Sequence, residues 1–238
     1  MTTKIIYSGD TSISVVFDNV VSATINDQVL YLASQVGQEQ IPGILDIVPA
    51  YRTVAFIFDP LALDVEPFED HLADLVQQVQ ESTVTTTGKL YKIPVLYNDT
   101  VGLDLQELAD YHHLTPQEVI DIHANREYRV YMLGFLPGFA FLGGLDERLH
   151  TPRKATPRLE IPAGSISIGG EQTGYYPVVS PGGWQIIGKT PLKMFDINQP
   201  KILFQPGDRI EFVPIDQDQF DLLEQTTVND YFQREVAQ

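Results

Sequence analysis

Ser165-Ile-Ser-Ile-Gly-Gly-Glu-Gln-Thr-Gly-Tyr-Tyr-Pro-Val-Val-Ser-Pro-Gly-Gly-Trp-Gln-Ile-Ile187 decides how this chain folds. Three apolar pieces, Ser165–Ile168, Tyr175–Val179 and Trp184–Ile187, are cut apart by Gly and Pro. Each is too short for a helix and rich in β-branched and aromatic residues, so each reads as a strand. Working outward, Tyr91–Tyr97, Tyr128–Leu133, Ile202–Phe204 and Arg209–Val213 repeat the pattern. Evenly spaced short strands with turn signals between them predict a β-barrel or sandwich. Two short helices interrupt them, Asp104–Tyr111 and Pro116–Ala124, the second opened by a capping box of Thr115 and Glu118. From Gly134 to Pro191 the chain places 11 of its 17 glycines and 7 of its 16 prolines, residues that fix turns and let backbone approach a ligand.

Upstream the hydrophobic period changes several times. Lys4–Tyr7 and Ser12–Phe17 read as strands around Ser8-Gly9-Asp10; Ile25, Val29, Leu32 and Val36 recur at helical spacing. Ile44–Val48 and Val54–Phe58 form a second strand pair, and Phe68, Leu72, Leu75, Val76 and Val79 mark a second helix behind Pro67. The expected fold class is α+β, a ferredoxin-like N-terminal domain followed by a β-barrel. The expected division is residues 1–85, residues 86–215 and an acidic tail at 216–238, with the Thr-rich Ser82–Gly88 as connector. No internal repeat interrupts this order.

Composition narrows the function. The 238-residue chain has a net charge of -17 and no cysteine. The charge argues against a nucleic-acid partner, whose binding depends on neutralising phosphates. Without cysteine there are no disulfides, thiolate metal sites or Cys nucleophile, which fits a cytoplasmic protein. There is no membrane-spanning apolar run and no secretion leader.

Two motifs mislead. Gly183–Thr190 satisfies the phosphate-loop pattern, yet its interior is Trp184, Gln185, Ile186 and Ile187, which read as strand, and Pro191 blocks the required helix. Leu108–Val119 resembles a helix-turn-helix, but Pro116–Ala124 carries no Lys or Arg and reads as a packing element. The five histidines, His71, His112, His113, His123 and His150, show no metal-ligand spacing, so no metal is expected. His123 precedes the Gly-rich stretch and is a candidate proton-transfer group, with closure of a helix as its other reading.

A cationic island stands out in so acidic a chain: Arg148, Arg153, Lys154 and Arg158, with His150 among them and no acid between. The two Thr-Pro-Arg contexts present Arg153 and Arg158 stiffly, as an anion clamp requires, although an ion pair with Glu160 would serve structure equally well. Around the island, Phe135, Pro137, Gly138, Phe139, Gly169, Gly170, Gln172, Thr173, Ser180 and Trp184 are the candidate substrate contacts.

Several ordered motifs carry a resemblance: Val-Pro-Ala-Tyr-Arg (48–52), Gly-Phe-Leu-Pro-Gly-Phe (134–139), Thr-Pro-Arg (156–158), Pro-Ala-Gly-Ser (162–165), Gly-Gly-x-Gln-Thr-Gly-x-Tyr-Pro (169–177), Ser-Pro-Gly-Gly-Trp (180–184) and Pro-Gly-Asp-Arg (206–209). Across residues 4 to 215 the chain resembles the family of the bacterial 5-oxoprolinase B subunit, also labelled KipI-type kinase inhibitor and allophanate hydrolase subunit 1. The resemblance implies that the barrel is cyclophilin-like and that the C and A subunits are partners. It also implies an ATP-dependent opening of 5-oxoproline to glutamate, with ATP as the co-substrate of the complex. Arg153 and Arg158 would then clamp substrate, amides near Gly169 and Gly170 would face developing charge, and His123 would manage protons. The alternatives are an inhibitor docking on a sensor histidine kinase and a carboxyltransferase-like subunit of urea or allophanate metabolism. Two departures are visible: the loop Tyr97–Asp104 lacks the family's usual Gly-Gly and Gly-Pro-Asp, and Lys189 stands in place of Arg.

Overall fold

The computed structural model describes residues 3–81, 84–224 and 226–236; Ser82 and Thr83 of the expected connector, and Gln225, Ala237 and Gln238 of the expected tail, lie outside the described residues. The chain divides into two compact units, Met1–Gly88 and Lys89–Gln238.

In the first unit, β1 (Lys4–Tyr7), β2 (Ser12–Val16), β3 (Ile44–Pro49) and β4 (Thr53–Phe58) form an antiparallel sheet in the order β1-β2-β4-β3. Two 17-residue helices, α1 (Ala23–Glu39) and α2 (Val65–Glu81), complete it. Alternation in β2 and β4 buries Ile13, Val15, Val54, Phe56 and Phe58 in one core with Val29, Leu32 and Val36 of α1 and Phe68 and Leu72 of α2. The linear order is strand, strand, helix, strand, strand, helix.

The second unit is built on a closed seven-stranded barrel, which fits the cyclophilin-like expectation. Its strands are β5 (Leu90–Leu96), β6 (Glu127–Leu133), β7 (Ala140–Gly143), β9 (Ser165–Gly169), β10 (Gln172–Tyr175), β12 (Gln185–Lys189) and β13 (Arg209–Ile215). A side ribbon pairs β8 (Arg158–Ile161) with β11 (Ser180–Gly182). Closure depends on β13, which pairs parallel with β5 along seven residues and antiparallel with β6. The helices α3 (Leu105–Tyr111) and α4 (Pro116–Ala124) bury Leu105, Leu108, Ala109 and Val119 in the barrel core, so they pack as the basic-poor sequence requires. Both halves of the Thr115–Glu118 capping box are present.

Two expected strands need correction. Residues 176–179 are irregular, since β10 ends at Tyr175 and Pro177 has no N–H to extend a ladder. Ile202–Phe204 is irregular as well, enclosed by Pro200 and Pro206, although Phe204 is buried in the core. Beyond β13 the chain forms α5 (Gln217–Leu223) and α6 (Val228–Val236). Val228 enters the barrel core and Tyr231 and Phe232 pack against it, so an acidic segment is held by an apolar stripe. Among the described residues no helix is long and apolar enough to cross a membrane.

Candidate functional site

The cationic island becomes a strap, residues 151–158, fastened to the barrel by a buried carboxylate. Asp104 is 1% exposed and sits at the start of α3. Its two oxygens accept a fork from Arg158 (Nη1 to Oδ2 2.8 Å, Nη2 to Oδ1 2.7 Å), a bond from Lys154 Nζ (2.8 Å) and one from the Ile186 amide (2.7 Å). Burial pushes the Asp104 carboxyl up, but the bonds from Arg158, Lys154 and Ile186 outweigh it and hold it below its ordinary value. A buried carboxylate so supplied with donors stays ionised. Lys154 also reaches Glu107 at 3.0 Å, and Arg148 pairs with Asp146 at 2.9 Å. Three of the four bases are therefore committed to acids. Arg153 is the fourth, and among the described residues no acid pairs with it.

The strap backbone is pinned on either side of Arg153. Gln185 Nε2 donates to Pro152 O at 2.9 Å, and the Lys154 amide donates to Gly183 O at 2.7 Å. The Arg153 guanidinium consequently lies over the indole of Trp184, 5.6 Å from the ring centroid, in cation–π geometry. Trp184 lies close against β9 because Gly169 has no Cβ, which would come within 2.5 Å of the indole.

Around Arg153 and Trp184 opens a cavity of about 340 Å³, lined also by Phe135, Phe139, Phe141 and Tyr176. Phe139 anchors its aromatic wall, meeting Trp184 at 5.7 Å, Tyr176 at 5.6 Å and Phe135 at 5.5 Å edge-to-face, and Phe141 at 4.8 Å in a tilted contact. Phe135 is 65% exposed and holds a φ of 69°, a left-handed conformation that costs energy for an aromatic residue and marks the rim of the cavity. Tyr175 fixes the turn that carries these phenylalanines by donating its hydroxyl to Gly138 O at 2.6 Å. The arrangement offers one exposed cation beside an aromatic slot, a setting for a small ring bearing a carboxylate.

The structure thus brings together Arg153, Phe135, Phe139 and Trp184, with Gly169 beneath and Pro137 and Gly138 in the supporting turn. The other expected residues have different partners. Arg158 faces Asp104 with both terminal nitrogens. The Gly170 amide donates to Thr151 O at 2.7 Å, in a bridge at the β9–β10 turn, and is not free to face a ligand. Gln172 pairs with Gly169 in the ladder. Ser180 is buried in the side ribbon, its hydroxyl without a partner among the described residues.

His123 lies inside the barrel, fully buried. Thr173 gives its hydroxyl proton to Ser167 O (3.0 Å), so it accepts from His123 Nε2 (2.8 Å), and Nδ1 accepts from the Tyr97 hydroxyl (2.9 Å). The ring stacks on Phe212 at 5.0 Å, and burial pushes its pKa down to about 3. With both nitrogens engaged and no exposed edge, the imidazole has no face to offer a substrate. Four contributors escaped the sequence reading: Asp104, Phe141, Tyr176 and Gln185. Tyr176, beside Pro177 in a Gly-rich turn, carried the only local signal. Among the described residues no cluster of His, Asp and Glu could hold a metal ion.

The carboxyltransferase domain, subdomain C and D, family model matches residues 3–204, which include the strap and the whole aromatic wall. The chain belongs to this family. Within it, the 5-oxoprolinase B subunit of Bacillus subtilis is 40% identical over 220 residues, covering 88% of this chain and 91% of the relative. The 5-oxoprolinase B subunit of Haemophilus influenzae is 42% identical over 187 residues, covering 78% and 85%. Among solved structures, the protein named TTHA0988 superposes with a TM-score of 0.76 at 34% identity over 86% of this chain, which spans only 40% of that longer chain.

Proposed function

We propose that this chain is the B subunit of an ATP-dependent 5-oxoprolinase, a cytoplasmic enzyme completed by the A and C subunits. The observation that carries the reading is Arg153, the one base of the island without an acid partner among the described residues, at an aromatic cavity near the low end of ligand-pocket volumes. The likeness to the B subunits of two bacterial 5-oxoprolinases supports the same reaction.

5-Oxoproline is a five-membered lactam with one carboxylate. Its ring fits between Phe135, Phe139 and Trp184, and its carboxylate meets the Arg153 guanidinium. Excluding water there strengthens the charged contact and orients the amide. ATP supplies the driving force by phosphorylating the amide oxygen. Water then adds to that carbon and the ring nitrogen leaves as an amine. A second water releases phosphate from the resulting acyl phosphate and gives glutamate. This chain contributes binding and orientation; β12 is extended where a phosphate loop would turn, so the nucleotide is assigned to the complex rather than to residues 183–190. Docking on a sensor histidine kinase draws no support from this pocket.

Residues 1–85 form a domain outside the chemistry. We take it as ferredoxin-like by permutation: moving β1 from first to last turns the observed order into strand, helix, strand, strand, helix, strand.

Co-expressed with its neighbouring subunits, the chain should support glutamate release from 5-oxoproline and ATP, and omission of this chain should abolish it. Full turnover without it, or robust turnover when it is isolated, would overturn the proposal.

A further inference from the structure

The geometry points to Asp104 as a positioning residue that acts through Arg153, and so sets the affinity of the aromatic cavity without touching what binds there. This inference rests on the proposed site for the location of the substrate, but the mechanical coupling stands on the contacts alone.

Asp104 ties three segments distant in sequence. It starts α3, receives both Arg158 nitrogens and Lys154 from the strap, and receives the Ile186 amide from β12. Arg153 is adjacent to Lys154 and five residues before Arg158. Trp184, its stacking partner, is two residues before Ile186. The two halves of the cation–π pair are therefore each fastened to the same carboxylate, through 154 and 158 on one side and through 186 on the other. Gln185 adds a cross-brace, accepting from Lys154 Nζ at 3.3 Å while donating to Pro152 O. Among the described residues no other acid does this. Glu107 touches only Lys154 in the strap and is 72% exposed at its side chain, so it trims the network without anchoring it.

A neutral group at 104 breaks the arrangement in a defined way. Asparagine matches the shape of Asp104 and keeps one acceptor, but in either orientation it sets an NH₂ against Arg158 and against Lys154 or the Ile186 amide, and it removes the charge that holds both bases. The strap then loses its fork, and Arg153 its fixed place over the indole. Trp184 is the only tryptophan in the chain, so its emission reports that place directly. A cation over the ring quenches and shifts the emission, and its departure opens the indole to small quenchers.

The test compares wild-type protein with Asp104→Asn, Arg153→Ala, the double variant and, as a control, Glu107→Gln. Trp184 emission and acrylamide quenching are read on the isolated chain, and KM and kcat for 5-oxoproline on the assembled complex. Asp104→Asn should reproduce the emission change of Arg153→Ala although Arg153 is present, while Glu107→Gln stays at the wild-type value. KM should rise roughly tenfold to hundredfold, the size of a lost charged hydrogen bond, with a much smaller change in kcat. The double variant should be no worse than Arg153→Ala alone, because a residue acting only through Arg153 adds nothing once Arg153 is gone. If Asp104→Asn fails to fold, Arg158→Lys replaces it, since it keeps the charge but removes the fork, and the same changes are expected. Wild-type emission in a folded Asp104→Asn or Arg158→Lys protein, or additive effects in the double variant, would overturn the inference. An altered emission with unaltered KM for both Asp104→Asn and Arg153→Ala leaves the coupling standing and defeats the substrate reading of the cavity instead.

Discussion

Replacing His123 by glutamine should change how the barrel's stability responds to acid. The wild-type imidazole is neutral and sealed, with a folded pKa of about 3 against an ordinary 6.5. The sign follows from proton uptake. Between those two values the unfolded chain binds a proton that the folded chain refuses, so stability falls as pH drops from 6.5 toward 3 and is fully present above 6.5. The slope is about 1.4 kcal/mol per pH unit, which gives a loss of about 2 kcal/mol between pH 6.5 and pH 5 from this one residue. Glutamine keeps an amide donor and acceptor for Thr173 and Tyr97 but does not titrate. It also forfeits stacking on Phe212, at a cost that does not vary with pH. The variant should be the less stable protein at pH 7.5, and the gap should narrow by about 2 kcal/mol by pH 5. Urea unfolding followed by Trp184 emission, which reports the barrel, measures both proteins across this range. A gap that stays constant with pH refutes the argument. In the assembled enzyme the variant should retain a neutral pH–rate limb. Loss of that limb with a fall in kcat of roughly 10²–10⁴-fold would restore His123 to proton transfer.

Three further outcomes follow from the site and its supports. Arg153→Ala should raise KM for 5-oxoproline roughly tenfold to hundredfold while the thermal unfolding midpoint stays near wild type, since its side chain is exposed apart from the indole contact; a large loss of stability would make it structural. Gly169→Ala should destabilise the barrel by about 1–3 kcal/mol and shift Trp184 emission, because the added methyl meets the indole ring, and unchanged emission would contradict that packing. Tyr175→Phe should cost about 0.5–1.5 kcal/mol in urea unfolding by removing the bond to Gly138 O, and an unaffected midpoint would show that the 134–139 turn holds itself.

The barrel was legible because Gly and Pro cut its strands to length and alternate residues face the core. Ile202–Phe204 was misread for a physical reason: three apolar residues with a buried Phe204 look like a strand, but strand identity needs a pairing partner, and only tertiary structure supplies one. At the site, Arg153 and Trp184 could be picked out as a cation and an aromatic residue in a Gly-rich setting. Which of the four bases would have no acid partner among the described residues could not. That depends on Asp104, one acid among 32, which meets Lys154 and Arg158 across 50 and 54 residues of chain. His123 shows the complementary failure. Its position before the Gly-rich stretch suggested exposure to a substrate, whereas its neighbours Tyr97, Thr173 and Phe212 come from three separate strands or strand ends and enclose it.

The β5–β13 seam has a consequence for biosynthesis. Leu90 pairs with Arg209, a separation of 119 residues (209 minus 90). The antiparallel hairpins of the first unit can pair as they leave the ribosome, but the barrel cannot close until residue 215 has emerged. Until then β5 and β6 are both open edges of a six-stranded sheet, with unpaired N–H and C=O groups available to any neighbouring strand. The vulnerable interval therefore lasts at least as long as the synthesis of residues 190–215. A free chain that ends before β13 displays an adhesive sheet. The same chain extended through Ile215 closes and conceals it.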